Sequence, residues 1–369
     1  MDFLDLKAQY QSIKKEIDGA IRRVLDSGVF IGGVEVENFE KEAAEFCGLK
    51  YALGLNSGTD ALYLSLKALG VNTGDEVITT PFTFIATAEV IANLGARPVF
   101  VDIKSDTFNI NPELIPEAIT PKTKAIIPVH LFGQMADVAE IMAVAQKYQL
   151  SVVEDAAQAI GAKYQNKTAG SLGDLGCFSF FPSKNLSAFG DGGLVATDNT
   201  ELADKIKLLK NHGSSAKEKY LNLILGINSR LDAIQAAVLA VKIKHLPKWS
   251  EKRGEIASYY SQNLGGIGDI KTPVIASERT HIFHQYTIRT KLRDRLHLYL
   301  KEKGIPTMIY YPLPLHLQPA LSYLGYQKGD LPEAERASQE VLSLPIYPEI
   351  AFSNQKDIIK AISEFFERC

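Results

Sequence analysis

The sequence predicts an α/β protein: a three-layer α/β/α domain on a mostly parallel, mixed sheet over residues 1–246, then a smaller α+β domain over 247–369. Three observations predict it. Short apolar runs alternate with helically spaced segments through the first two thirds of the chain, the pattern of a parallel sheet covered on both faces. Phe84, His130, Asp155 and Lys184 all fall just after predicted strands, where ligands of such sheets bind. The last third mixes several helices with one strand-like run, 285–289.

Taken in order, Ile13, Ile17, Ile21 and Val24 share one helical face over 11–25. Gly28, Gly32 and Gly33 mark a turn around Phe30 and Ile31, and an acid-rich helix follows over 35–46. A short strand near Leu53 leads into Asn56, Ser57, Gly58, Thr59 and Asp60, which open a helix carrying Ala61, Leu62, Leu66 and Leu69. Two readings fit that opening. Free backbone N–H groups at a helix N-terminus suit a phosphate, and Ser, Thr and Asp are also the ordinary capping residues.

Strand and helix then alternate: strand 77–80, helix 84–94, strands 99–102 and 126–129, and a helix with Val138, Ile141, Met142 and Ala145 on one face. Val152 and Val153 run into Glu154 and Asp155, a buried strand that delivers a carboxylate at its end. A second strand around Phe178 breaks at Pro182, and the turn after it carries Lys184. Gly190, Asp191, Gly192 and Gly193 lack a dinucleotide fingerprint and precede a strand at 194–197. They read as a tight turn letting the backbone pass close to the lysine. An alanine-rich helix spans about 231–246, with Ile234, Val238 and Val241 on one stripe, and Pro247 ends or bends it. Further helices are expected around Tyr259, at 296–300, 333–341 and 357–366.

The totals set limits. The chain has 369 residues, 46% hydrophobic and 22% charged, with a net charge of −3, too small to argue for nucleic acid or an anionic membrane surface. The N-terminal residues lack the pattern of a signal peptide, and no apolar run is long enough to span a bilayer. Cys47, Cys177 and Cys369 are scattered without metal-like spacing, so no metal site is expected, and a cytoplasmic location fits.

A carboxylate and a lysine converging in such a fold are either a buried ion pair or a pyridoxal phosphate site. In the latter, the amine forms a Schiff base with the cofactor aldehyde and the acid keeps the pyridine nitrogen protonated. His130 is open to two readings as well, an acid/base or a satisfied structural histidine.

The run Glu154-Asp155-Ala156-Ala157-Gln158, the segment Ser179 to Lys184, the Gly-Asp-Gly-Gly turn and Gly226-Ile227-Asn228-Ser229-Arg230-Leu231-Asp232 together resemble the DegT/StrS family of nucleotide-sugar aminotransferases. The resemblance implies the aspartate aminotransferase fold type, pyridoxal 5′-phosphate as cofactor, and homodimers with shared active sites. Lys184 would bind the cofactor and shuttle the proton, and Asp155 would pair with its ring nitrogen. Gln158 would lie over the ring or near its hydroxyl, and Phe84 would stack on the opposite face. Gly58, Thr59 and Ser179 would hold the phosphate, with Asn228 reaching it from the other subunit. Tyr311 and His316, in a segment resembling a substrate-lining loop, would touch the nucleotide-sugar. His212 and His284 are given no catalytic role.

A lysine rather than a histidine at position 184 implies transamination instead of dehydration. The motifs look most like members acting on 3-keto nucleotide-sugars, where Arg230 would meet a sugar carboxylate; capping a helix or pairing with Asp232 is the alternative for this arginine. Glutamate would be the amino donor and a UDP- or dTDP-linked keto sugar the acceptor, for surface polysaccharide or antibiotic glycosylation. Two rivals remain: a cofactor-binding regulatory protein without turnover, and an amino-acid aminotransferase using Arg289 for the substrate carboxylate.

Overall fold

The computed structural model describes residues 1–215, 218 and 220–368, so Cys369 lies outside the described residues. Three N-terminal helices, α1 (Leu6–Ser12), α2 (Lys14–Ser27) and α3 (Val34–Cys47), precede the sheet. The chain then alternates through β1 (Tyr51–Leu55), α4 (Gly58–Ala68), β2 (Glu76–Thr79), α5 (Ala86–Asn93), β3 (Arg97–Phe100), α6 (Ile115–Ala118), β4 (Thr123–Ile127), α7 (Val138–Tyr148) and β5 (Ser151–Asp155). A two-residue hairpin, β6 (Lys163–Tyr164) and β7 (Lys167–Thr168), leads to β8 (Leu175–Ser179), β9 (Gly193–Thr197) and α8 (Thr200–Leu209).

The seven-stranded sheet has the order β1-β9-β8-β5-β4-β2-β3. Strands β3, β2, β4, β5 and β8 run parallel, and β9 is antiparallel to both of its neighbours. Alternation along each strand feeds two cores. Ile78, Ile126, Val152, Phe178 and Leu194 point to one face, with Phe39, Ile141 and Leu239 from the helices. Val77, Ile127, Val153, Cys177 and Val195 point to the other, with Leu62, Leu66 and Ile206. Both faces being buried explains why these strands read as continuous apolar runs.

The helix expected to end or bend at Pro247 does not end there. Helix α9 (Ala233–Leu264) runs 32 residues through Pro247. Proline removes one backbone donor and clashes with the preceding turn, but buried Leu246 and Trp249 hold the helix on either side of it. Residues up to Leu246 serve the first core, and Ile256 onward serve a separate one formed with β10 (Tyr286–Arg289), α10 (Arg293–Glu302), β11 (Val341–Leu344) and α12 (Phe352–Glu367), while α11 (Pro332–Glu340) packs Ala334 and Ala337 in a cluster with Phe82 and Phe132. The change of core therefore falls inside a continuous helix. Leu4, at the start of the chain, packs against that C-terminal core rather than against the sheet. The predicted helix reaching Val341 ends at Glu340, and 341–344 forms a fully buried strand paired with β10. No helix among the described residues is long and apolar enough to cross a membrane.

Candidate active site

The carboxyl ends of β2, β4, β5 and β8 and the N-terminus of α4 surround a cavity of about 370 Å³. Gly58, Thr59, Phe84, Asp155, Gln158, Ser179, Lys184 and Tyr311 all line it.

At one end, Ser57 caps α4 by accepting from the Asp60 N–H at 3.1 Å. The N–H groups of Gly58 and Thr59 have no partner among the described residues, so two donors and the positive end of an 11-residue helix face the cavity. Close approach forces glycine here. A Cβ on Gly58 would lie 2.7 Å from the Ser179 Cβ, and one on Gly193 would overlap the Ser57 carbonyl. The glycine turn thus accommodates the loop before α4 rather than Lys184. Both readings of 56–60 hold at once, a capped helix with unpaired donors left over for an anion.

At the other end, Asp155 is buried. Its Oδ2 accepts from the Thr87 hydroxyl at 2.8 Å and its Oδ1 from the Ala157 N–H at 3.2 Å. Burial pushes its carboxyl above the ordinary range, more than Thr87, Ala157 and the charge of Lys184 pull it down. Such an acid gains from a cationic N–H partner. Burial lowers Lys184 to about 8, against the opposing pull of Asp155, so its free amine is far more accessible near neutrality than that of an ordinary lysine.

Gln158 is held at both ends of its amide: Oε1 accepts from the Phe132 N–H at 2.7 Å, and Nε2 donates to the Tyr311 hydroxyl at 3.1 Å. Burial raises the Tyr311 phenol well above its ordinary value, so it stays protonated. Phe84, 57% exposed, stands at the rim. An acid, an anion cradle and a reactive amine lining one cavity suit the pyridine nitrogen, the phosphate and the aldehyde of pyridoxal phosphate.

Three predicted site residues do not line this cavity. His316 is 1% exposed, and its Nε2 pairs with Glu335 at 3.1 Å, inside the packing between the 315–324 segment and α11. It is a core histidine, and the substrate contact expected for it is corrected on that ground. Asn228 is exposed, in a bridge with Asn211. Arg230 donates to Asn211 at 3.4 Å and leaves a buried Nε without a partner. Neither lines its own chain's cavity.

His130 resolves as structural. It is fully buried, its Nε2 lies 2.7 Å from Glu154, and its Nδ1 accepts from the Ala136 N–H. Arg289 is occupied by a buried ion pair with Glu340 at 2.6 Å, leaving no free guanidinium there for a substrate carboxylate.

Sequence reasoning missed Thr87, His284, Gln285 and Tyr310 as lining residues. Thr87 carried a weak signal, lying one helical turn after Thr83, just beyond a strand end. His284 and Gln285 carried none, because only the docking of the C-terminal core brings them to the sheet edge.

The chain is 52% identical over 365 residues to a pleiotropic regulatory protein of Geobacillus stearothermophilus, covering 98% of each. It is 44% identical to a UDP-2-acetamido-2-deoxy-3-oxo-D-glucuronate aminotransferase of Pseudomonas aeruginosa, covering 98% of this chain and 99% of the relative. The crystal structure of S. venezuelae DesV in complex with a ketimine intermediate superposes with a TM-score of 0.97 at 44% identity, covering 100% of this chain and 99% of that one. The model of the DegT/DnrJ/EryC1/StrS aminotransferase family matches residues 11–363, and the chain belongs to that family.

Proposed function

We propose that this protein transfers an amino group from glutamate to a 3-keto nucleotide-sugar, UDP- or dTDP-linked, with Asp155 and Lys184 as its catalytic pair. The protein is a sugar aminotransferase whose cofactor is pyridoxal 5′-phosphate. One observation carries the assignment of residues: a buried acid with a raised pKa and a lysine with a lowered one share a cavity with two unpaired N–H groups.

Bound there, the cofactor supplies an aldehyde for the amine and a ring that accepts electrons. Asp155 holds positive charge on the ring nitrogen in a site shielded from water, where such a pair acts more strongly than in solution. Thr87 and the Ala157 N–H fix the carboxylate plane. The Gly58 and Thr59 N–H groups with Ser179 would hold the phosphate, and Phe84 and Gln158, the latter tethered to Tyr311, would contact the ring. Lys184 Nζ would be the group that holds the cofactor through its aldehyde and, when free, the base that would move a proton at the substrate carbon.

Asn228 and Arg230 fit a second role, serving the cavity of a partner in a homodimer. The loop bearing them lies beside exposed Val29, Phe30 and Ile31: Ile31 bridges Asp232, and the Ala233 N–H donates to the Phe30 carbonyl. An exposed apolar set of this kind suits a subunit contact. Mixing inactive Lys184→Ala with weakened Asn228→Ala should then restore activity through hybrid dimers. No restoration removes the shared site.

The regulatory name of the Geobacillus relative supports a second reading, cofactor binding without turnover. Absorbance decides between them. Glutamate should shift the visible cofactor band, and one keto nucleotide-sugar from a panel should reverse the shift. A stable band that no amino donor alters would favour the regulatory reading.

A further inference from the structure

A second cavity, of about 320 Å³, adjoins the first and shares Ser183, His284, Gln285 and Tyr310 with it. Its far wall is built from Asp2, Phe3, Leu4, Ile346 and Arg253. Arg253 sits on α9 beyond Pro247 and is only 4% exposed. Its Nη1 donates to the carbonyls of Phe283 at 3.0 Å and Ile346 at 2.8 Å. Among the described residues, its Nε and Nη2 have no hydrogen-bond partner and no carboxylate forms an ion pair with it. Glu349 acts on it only through space, and burial lowers the guanidinium to about 10, still charged at neutral pH.

A buried cation without a counter-ion is costly and in most cores is paired. Here the unpaired edge, Nε with Nη2, is the fork that takes a carboxylate through two parallel bonds.

Gln285 adds an independent sign. It is 7% exposed, its Oε1 is buried with no partner, and its side-chain amide makes no hydrogen bond among the described residues. It lines both cavities. His284 stands between the two: its Nδ1 meets the Asn185 Oδ1 at 3.2 Å, and Asn185 Nδ2 donates to the Ile282 carbonyl. That amide orientation places the proton on Nδ1 and leaves Nε2 as an acceptor. Burial first, then the charges of Lys184 and Arg253, keep the ring neutral.

We propose that Arg253, with Gln285 beside it, is the carboxylate subsite for the amino donor, reached from Lys184 through the passage lined by Ser183, His284 and Tyr310. This rests on the aminotransferase reading above and names the group that admits a dicarboxylic amino acid. A single fork with no second cation suits a carboxylate better than a diphosphate, and the carboxylate of Asp2 at the wall disfavours a more highly charged guest.

The test compares the native holoenzyme with Arg253→Lys and Gln285→Leu. Glutamate titration of the cofactor band should show affinity falling about 10- to 100-fold in Arg253→Lys and several-fold in Gln285→Leu. The KM of the keto nucleotide-sugar, measured with enzyme loaded as the pyridoxamine form, should stay within about twofold. Because Arg253 also holds two carbonyls, Gln285→Leu gives a reading that does not depend on folding of the arginine variant. Calorimetric titration with succinate, which binds without reacting, should give heat with the native protein and none with Arg253→Lys. Unchanged glutamate affinity, equal loss for both substrates, or loss confined to the nucleotide-sugar overturns the subsite. A native protein that binds succinate through Arg253 yet never responds to glutamate would instead overturn the reading of the donor in the proposed function.

Discussion

Glu154 and Asp155 are consecutive residues of β5, both buried, and they face opposite ways. Glu154 turns into the fold, where it accepts from the N–H groups of Gly170, Leu172 and Gly173 and from His130. Burial alone would raise its carboxyl, but His130 and the Gly173 and Gly170 N–H groups outweigh burial and hold it below its ordinary value. Asp155 turns into the cavity with only two donors, and burial wins there. Burial does not separate a structural acid from a functional one; the number of partners does. The same contrast divides the arginines, Arg289 paired with Glu340 and Arg253 unpaired, and the histidines, His316 bonded to Glu335 and His284 with an open acceptor.

The contrast can be broken or sharpened at several points. The largest effect belongs to Lys184→Ala, which should lower turnover at least about a thousandfold, read as glutamate-dependent product formation. Retained turnover would move the reactive amine elsewhere. In the cofactor-free protein, the rate of cofactor capture should rise with pH, reach half its maximum near 8 and level off above it, because the unprotonated amine is the nucleophile and its pKa is lowered to about 8. A rise continuing toward 10.5 would mean that burial does not tune the lysine. Thr87→Val removes one of two donors to Asp155 and should weaken cofactor binding about tenfold, measured by titrating the cofactor band. The smallest effect on activity is expected at His316. His316→Phe should cost about 1–3 kcal/mol of stability on thermal unfolding while leaving the KM of the nucleotide-sugar unchanged. A raised KM would return His316 to the substrate site.

Much of the sheet and half of the cavity were legible in the chain. Strand ends are local features, so Asp155, Gln158, Ser179 and Lys184 announce themselves where an apolar run stops. The rest depends on long-range packing. Periodicity cannot tell the start of a buried strand from the end of a helix, so Val341, the first residue of β11, read as the last of a helix. Local rules give Pro247 the power to stop a helix, and tertiary contacts from Leu246 and Trp249 override it. His316 sits in a segment that borders the cavity through Tyr310 and Tyr311 but itself turns inward to Glu335, a difference no pattern of residues encodes. Arg253 looks like any helix-surface cation until β10 and the strand ends near Ile346 enclose it.

The most direct measurement pairs Glu154→Gln with Asp155→Asn, following thermal unfolding of the cofactor-free protein and turnover of the loaded one. Glu154 has a lowered carboxyl pKa and so stabilises the fold at neutral pH, a contribution lost as pH falls through its folded value. Its replacement should cost about 2–4 kcal/mol and leave the turnover of the folded fraction nearly intact. Asp155 has a raised pKa, so its charged form burdens the cofactor-free fold at neutral pH. Asp155→Asn should unfold no earlier than the native chain, yet lose turnover about a hundredfold or more. If both variants lose stability alike, or if Asp155→Asn keeps its turnover, the division between the two acids, and with it the placement of the catalytic centre, is wrong.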